Sequence, residues 1–190
     1  YRMTDGREAA NIRFTDVAAE ALVGEPGEGY SAMRAVIDAA MLAVCAEALG
    51  AMEFLNATTL EYCKTREQFG VAIGSFQALQ HRLVDTFAAC ENCRSLLYRA
   101  VCAADAGSED AQRSLLALKV MVGRAGKHIG GEAIQLHGGM GMTNELALGY
   151  YVKRLMIINT LFGDADHQQR RFIELVNAPA GEGSARSKAA

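Results

Sequence analysis

Gln135-Leu136-His137-Gly138-Gly139-Met140-Gly141 opens the stretch on which the reading of this chain turns, and Leu161-Phe162-Gly163-Asp164-Ala165-Asp166-His167 closes it. Between them the apolar run Ala147 to Leu161 predicts one helix, carrying Tyr150, Tyr151, Lys153 and Arg154. Glycines crowd a helix end where the backbone must turn or come close to something. Two acids and a histidine lie one helix away and therefore at its other end, since an α-helix rises ~1.5 Å per residue. The first end suits contact with a bound group, and the second suits chemistry.

Outward from this stretch the pattern is helical. Tyr30, Met33, Ile37, Met41, Val44, Ala48 and Leu55 recur at three- and four-residue steps, which predicts a first helix from Gly29 to Lys64, about 50 Å long. A breaking loop, Phe69-Gly70 to Gly74, follows. The second helix carries Phe76, Leu79, Leu83, Phe87, Cys90, Leu97 and Val101 and ends at Ala106-Gly107. Ser108 is the expected N-cap of the third, with Glu109 and Asp110 in its positive first turn. That helix carries Leu115, Leu118, Val122, Ile129, Ala133 and Leu136, and a short fifth begins near Ala165 and ends by Val176. Long helices joined by short loops predict an all-α fold, an up-down four-helix bundle over 29–177.

A short β segment is expected ahead of the bundle. Thr4-Asp5-Gly6 is a turn signal and Asn11-Ile12-Arg13-Phe14 alternates, so Tyr1 to Phe14 reads as the remnant of a hairpin whose sheet lies outside the chain. With the linker Thr15 to Glu28, containing Gly24-Glu25-Pro26-Gly27, it forms a first region over 1–28. Residues 178–190 are small and polar and are expected to be a disordered tail. The start at Tyr1, in strand-like sequence and not at a methionine, leads one to expect a fragment or a processed form.

The 190 residues suffice for one domain with a core, and 51% of them are hydrophobic with only two prolines. A formal charge of -3 argues against nucleic acid as a partner, because phosphate binding needs a basic face. No apolar run reads as long enough to span a membrane, and no signal peptide is recognised, so no membrane partner is expected. Five cysteines without disulfide-framework spacing fit a reducing compartment. Cys90 and Cys93 form a lone C-x-x-C inside an amphipathic helix; lacking further ligands, they read as core thiols and no metal is expected.

Three motifs in order resemble the C-terminal half of the acyl-CoA dehydrogenase flavoproteins. Thr15-Asp16-Val17 through Leu22-Val23-Gly24-Glu25 and Gly27-x-Gly29 resembles the exit from that family's middle β-domain into its helical domain. Arg66-x-x-Phe69-Gly70 followed by Phe76-Gln77 resembles its FAD-contacting loop, and Gln135-x-x-Gly138-Gly139-x-Gly141 its second FAD contact. The resemblance implies FAD as cofactor, an acyl-CoA thioester as substrate, and α,β-dehydrogenation in which a carboxylate removes the α-proton. It implies a homo- or hetero-oligomer, most simply a dimer of dimers, in which the bundle of one subunit meets the FAD of its neighbour. It further implies electron-transferring flavoprotein as acceptor and a cytoplasmic location, or the mitochondrial matrix in a eukaryote. Arg66, Phe69, Gln77, Gln135, Gly138 and Gly139 would be the cofactor contacts: Arg66 as a planar, permanently charged clamp for a pyrophosphate, the glutamines as amides, the glycines for close approach. Read without the resemblance, Arg66 is a surface charge, Gln77 an exposed helix residue, Gln135 part of a helix C-cap and His137 a packing or surface residue.

The chemical positions depart from the family. Its usual catalytic glutamate lies in an aromatic-Glu-Gly-Thr segment after the fourth helix; here, counted from Gln135, that position falls on Phe162 or, one residue on, Gly163. The alternative base in the first helix falls on Ala40, and the arginine that helps hold CoA falls on Met41. Asp164 is the closest acid and the candidate catalytic residue, equally suited to cap the fifth helix, and His167 three residues on could pair with it. Phe-Gly-Asp-Ala-Asp-His is similar to a segment of bacterial dehydrogenases built from paired, unlike subunits. Two readings stay open: an active dehydrogenase subunit, or a non-catalytic subunit that completes a partner's FAD site.

Overall fold

The computed structural model describes residues 1–18, 20–22 and 24–177, so the expected tail at 178–190 lies outside the described residues. Five helices build it: α1 Gly29–Thr65, α2 Gln77–Asp105, α3 Ala111–His137, α4 Leu148–Thr160 and α5 Ala165–Asn177. Short connections make successive helices run in opposite directions, giving the expected up-down bundle. α3 is its centre, packed against all four of the others.

The sequence explains that position. Gly126 and Gly130 leave room on α3 for α4, whose Leu155 and Val152 side chains lie 3.4 Å from where a Cβ would stand at each glycine. Around this seam Cys45, Met52 and Leu55 of α1, Cys93 of α2, Leu118 and Ile129 of α3 and Ile158 of α4 form one core. Each fully buried Leu, Ile or Met contributes about 1.5–3 kcal/mol.

α1 corrects one expectation. By length and apolar composition alone it could cross a membrane. Isolated polar residues such as Glu47 and Glu53 interrupt the apolar runs and concealed this in the sequence. In the fold Met41, Cys45, Ala48, Met52 and Leu55 line its face toward the bundle, as in a core helix.

The β structure also lies elsewhere than expected. Residues read as a breaking loop form a small antiparallel hairpin, β1 Glu67–Gln68 with β2 Val71–Ala72, followed by a 3-10 turn at Ile73–Ser75. At the N-terminus a single bridge joins Arg2 and Glu8 across the Thr4-Asp5-Gly6 turn. Asn11 to Phe14 is irregular, with Ile12 and Phe14 exposed, because no strand among the described residues pairs with it. Ser108 does not sit at the N-cap of α3. Its Oγ accepts the Asp110 N–H at 3.2 Å and its carbonyl the Ala111 N–H at 2.9 Å, in a tight turn that precedes the helix.

Candidate functional site

The first half of the site is the end of α1 and the start of α2. Arg66 leaves the helix in an extended conformation, its N–H still donating to the Tyr62 carbonyl at 2.8 Å. Its own carbonyl accepts the Ile73 N–H at 2.8 Å, which closes the β1–β2 hairpin. The tip of that hairpin carries Phe69 at φ 56, a left-handed conformation that costs an L-residue roughly 1–2 kcal/mol. Phe69 is 93% exposed, edge-on to Phe76 at 6.2 Å. A bulky residue in this conformation, projecting from the body, is the kind of strain that collects at binding sites. Gln77 follows as the exposed first residue of α2.

The second half is the end of α3. Gln135 is exposed in the last turn and its carbonyl accepts the Gly138 N–H. Gly138 has φ 60, which explains its identity. A Cβ at Gly138 or Gly139 would meet nothing within 4 Å, so no part of the described chain covers this backbone. Gly141 contrasts with them: a Cβ there would lie 2.7 Å from the Ile134 carbonyl oxygen, and packing alone accounts for it.

The two halves are tied by His137. Its ring stacks on Tyr62 at 4.3 Å, the Tyr62 hydroxyl donates to the His137 carbonyl at 3.4 Å, and Nδ1 donates to the Ala133 carbonyl at 2.8 Å. At 3% exposure His137 is a packing residue and not a surface one. Arg66, Phe69 and Gln77 thus share one end of the bundle with Gln135, Gly138 and Gly139. Arg66 is exposed and enters no ion pair among the described residues. A free guanidinium, two exposed amides and an uncovered glycine backbone fit the phosphates and flat ring system of a dinucleotide such as FAD.

Asp164 stands apart from this group. α4 begins beside the 3-10 turn Gly138–Met142 and its 13 residues carry the chain roughly 20 Å to the other end. There Asp164 Oδ1 accepts the His167 N–H at 2.8 Å and the Asp164 carbonyl the Gln168 N–H at 3.0 Å, an N-cap of α5. The expected side-chain pairing with His167 is replaced by this backbone contact, while the His167 ring lies over Gly163. Asp164 remains exposed. Phe162 and Gly163, the two positions expected for the family's glutamate, have φ 59 and 94, and Phe162 is 38% exposed. Met41, where the resemblance leads one to expect the CoA-holding arginine, is fully buried beside Leu115 and Leu116.

The family profile described as acyl-CoA dehydrogenase, C-terminal domain, matches residues 27–174. The chain belongs to the acyl-CoA dehydrogenase family. It is 30% identical, over 85% of its own length and 42% of the relative's, to the short-chain specific acyl-CoA dehydrogenase of Megasphaera elsdenii. The solved FAD complex of PigA is 34% identical over 70% of this chain and 34% of that one, with a TM-score of 0.66. The ChsE4-ChsE5 complex of Mycobacterium tuberculosis is 29% identical over 76% and 39%, with a TM-score of 0.71. The chain spans about a third to two-fifths of the length of the curated relatives it matches.

In this acyl-CoA dehydrogenase domain three polar side chains matter that the sequence reading missed. Arg154 was visible only as a charge on α4. Its Nε and Nη2 donate to Glu47 Oε1 and Oε2, both at 2.7 Å, and Nη1 donates to Asp5 Oδ2 at 2.9 Å, while Arg7 Nη2 reaches Glu47 at 3.0 Å. This network pins the N-terminal turn to α1 and α4. Burial alone would raise the Asp5 carboxyl, but the hydrogen bonds from Arg154 and Arg7 and their charges hold it below its usual range. The Arg154 hydrogen bonds, against an opposing burial effect, likewise lower Glu47. Lys119 and Gln168 are fully buried near the α4–α5 turn. With partners from 3 to 149 positions away, none of the three had a sequence signal beyond its own polarity. The thiols behave as expected: Cys90 and Cys93 are buried in the core, and burial pushes Cys45 and Cys93 up to about 12.

Proposed function

We propose that this chain is part of an FAD-dependent acyl-CoA dehydrogenase that introduces an α,β double bond into an acyl-CoA thioester, and that the end bearing Arg66 and Gly138 is where it meets FAD. The observation that carries this reading is the clustering of an unpaired Arg66, a projecting Phe69, exposed Gln77 and Gln135 and the uncovered Gly138-Gly139 backbone. In it Arg66 holds the pyrophosphate through its planar fork, the two glutamines donate or accept at the dinucleotide's polar edge, Phe69 offers a flat apolar face, and the glycines allow backbone contact. Bound FAD supplies the hydride acceptor. α4 sets the two ends roughly 20 Å apart, and in the proposed oligomer the FAD met at the Arg66 end belongs to a neighbouring subunit. Electron-transferring flavoprotein is the proposed acceptor, and the cytoplasm, or the mitochondrial matrix in a eukaryote, the proposed location.

Asp164 is the proposed base. It is exposed, and a carboxylate that accepts one backbone N–H keeps lone pairs free for an α-proton. The same hydrogen bond favours a second reading, in which Asp164 only caps α5 and this chain completes the FAD site of an unlike partner that holds the base. The likeness to one member of the ChsE4-ChsE5 complex supports keeping it.

The test is acyl-CoA-dependent bleaching of flavin by the full-length protein, alone and with an unlike partner. If Asp164 is the base, the protein alone bleaches and Asp164→Asn slows it by about 10²–10⁴-fold. Bleaching only with the partner, indifferent to Asp164→Asn and lost on Arg66→Ala, establishes the supporting subunit. Absence of both flavin and acyl-CoA oxidation in every combination sinks the proposal.

A further inference from the structure

The α4–α5 turn is held from behind by two fully buried polar side chains that the dehydrogenase reading does not use. Lys119 of α3 is 0% exposed, and its Nζ donates to the Ile158 carbonyl at 2.8 Å and the Asn159 carbonyl at 2.9 Å. Both belong to the last turn of α4, whose carbonyls have no partner within the helix. The neighbouring carbonyls are taken locally, Ile157 by the Leu161 N–H at 3.0 Å and Thr160 by the Gly163 N–H at 3.3 Å. Gln168 of α5, also 0% exposed, donates from Nε2 to the Phe162 carbonyl and accepts from Arg171 Nη1 at 2.9 Å. Between these anchors Phe162 and Gly163 adopt φ values of 59 and 94. Only glycine takes the second without strain.

Among the described residues Lys119 is the one lysine or arginine that is fully buried. Burying an ammonium is costly unless it is hydrogen-bonded, and an apolar side chain of the same length would fill the space at lower cost. α1 ends by handing the Arg66 N–H to a helix carbonyl, and α2 ends likewise through Ala106, so a helix in this fold does not need a buried cation to stop. The cation stands at the negative end of α4, where the helix dipole favours it, with Asp164 and Cys45 as its charged or titratable neighbours.

We propose that Lys119, with Gln168, is a positioning residue that fixes Phe162, Gly163 and Asp164 in one conformation against the acyl thioester; this rests on the dehydrogenase reading above. The clamp acts on backbone carbonyls, so it sets where the turn's side chains stand without touching substrate itself. A displacement of about 1 Å at a reacting centre costs on the order of 10²-fold in rate.

The test uses the full-length flavoprotein with Lys119→Met, which keeps length and loses the two hydrogen bonds, and independently Gln168→Met, which releases the Phe162 carbonyl. Three readouts are needed: kcat and KM for acyl-CoA-dependent flavin reduction, bound flavin per chain, and amide hydrogen exchange over Leu161 to Asp164. The expected result is kcat lower by about 10²-fold with KM and flavin content unchanged, and faster exchange confined to the turn. Unchanged kcat and exchange in a folded, flavin-replete variant overturns the positioning role. A loss of rate that merely follows loss of flavin or of folded protein in both variants overturns it too. If the wild-type protein reduces no flavin with any acyl-CoA, alone or partnered, the dehydrogenase reading fails and takes this role with it; an active wild type beside unaffected variants removes the positioning role alone.

Discussion

Gly123→Ala and Gly131→Ala, in the same helix, should move stability in opposite directions. In a helix interior the exchange gains about 1 kcal/mol, because glycine loses more backbone entropy on folding than alanine. Gly131 faces open space with nothing within 4 Å of an added Cβ, so that gain is expected almost whole. At Gly123 the added Cβ would lie 2.3 Å from Asn159 Oδ1 and 3.0 Å from the Ala165 Cβ. Overpacking of this kind costs about 1–3 kcal/mol, and the contact with a buried amide belongs to the upper part of that range, leaving a net loss of about 1–2 kcal/mol. For a chain of this size 1 kcal/mol shifts the midpoint by about 2–4 °C. Thermal unfolding followed by helical circular dichroism should therefore show Gly131→Ala higher by about 2–4 °C and Gly123→Ala lower by about 2–8 °C. Asn159 Oδ1 is buried without a partner among the described residues, so Asn159→Ala removes the obstacle without orphaning a hydrogen bond of that atom. In that background the Gly123→Ala penalty should shrink, a coupling of about 0.5–3 kcal/mol. Equal shifts for the two glycines, or a Gly123 penalty indifferent to Asn159→Ala, would refute the packing argument.

Acidification should loosen the N-terminal turn. Asp5 and Glu47 are both depressed in the fold from ordinary values of 3.8 and 4.5, so their stabilising contribution is present above that range and lost as pH falls through the lower folded values. Protection factors in residues 1–9, corrected for the intrinsic slowing of exchange in acid, should fall on acidification in wild type and be already low, with little pH dependence, in Arg154→Met. A thiol reagent should modify Cys102 quickly and Cys45, Cys63, Cys90 and Cys93 only on unfolding, since Cys102 alone is exposed and burial raises the other thiols; two or more fast thiols would contradict the packing. On its own the 190-residue chain should self-associate through the stripe Val84, Phe87, Tyr98 and Val101 on α2, and Phe87→Glu should weaken this in sedimentation. A monodisperse wild-type monomer at high concentration would count against it.

Much of the fold was legible because helix-forming information is local. Tyr30, Met33, Ile37 and Met41 repeat at the helical period whatever surrounds them, and Gly138 marks the end of α3 because only glycine accepts its φ without strain. Order and spacing of Arg66, Gln77 and Gln135 likewise placed the glycine-rich end. The 67–72 hairpin was missed because two-residue strands have no periodicity to read. The start of α3 was misplaced because Ser108 offers the same hydroxyl to a turn as to a cap.

What only the tertiary structure decided is which polar groups meet. The amino-acid sequence by itself determined where helices run, where they stop and which family pattern they follow, because these depend on neighbours a few positions away. The contact of Arg154 with Asp5, the burial of Lys119 beneath the end of α4 and the stacking of His137 on Tyr62 were decided by packing. A charged side chain looks the same in sequence whether it meets water or a partner 149 positions away, since its free energy is set by the dielectric and the groups around it, and those exist only once the helices have docked.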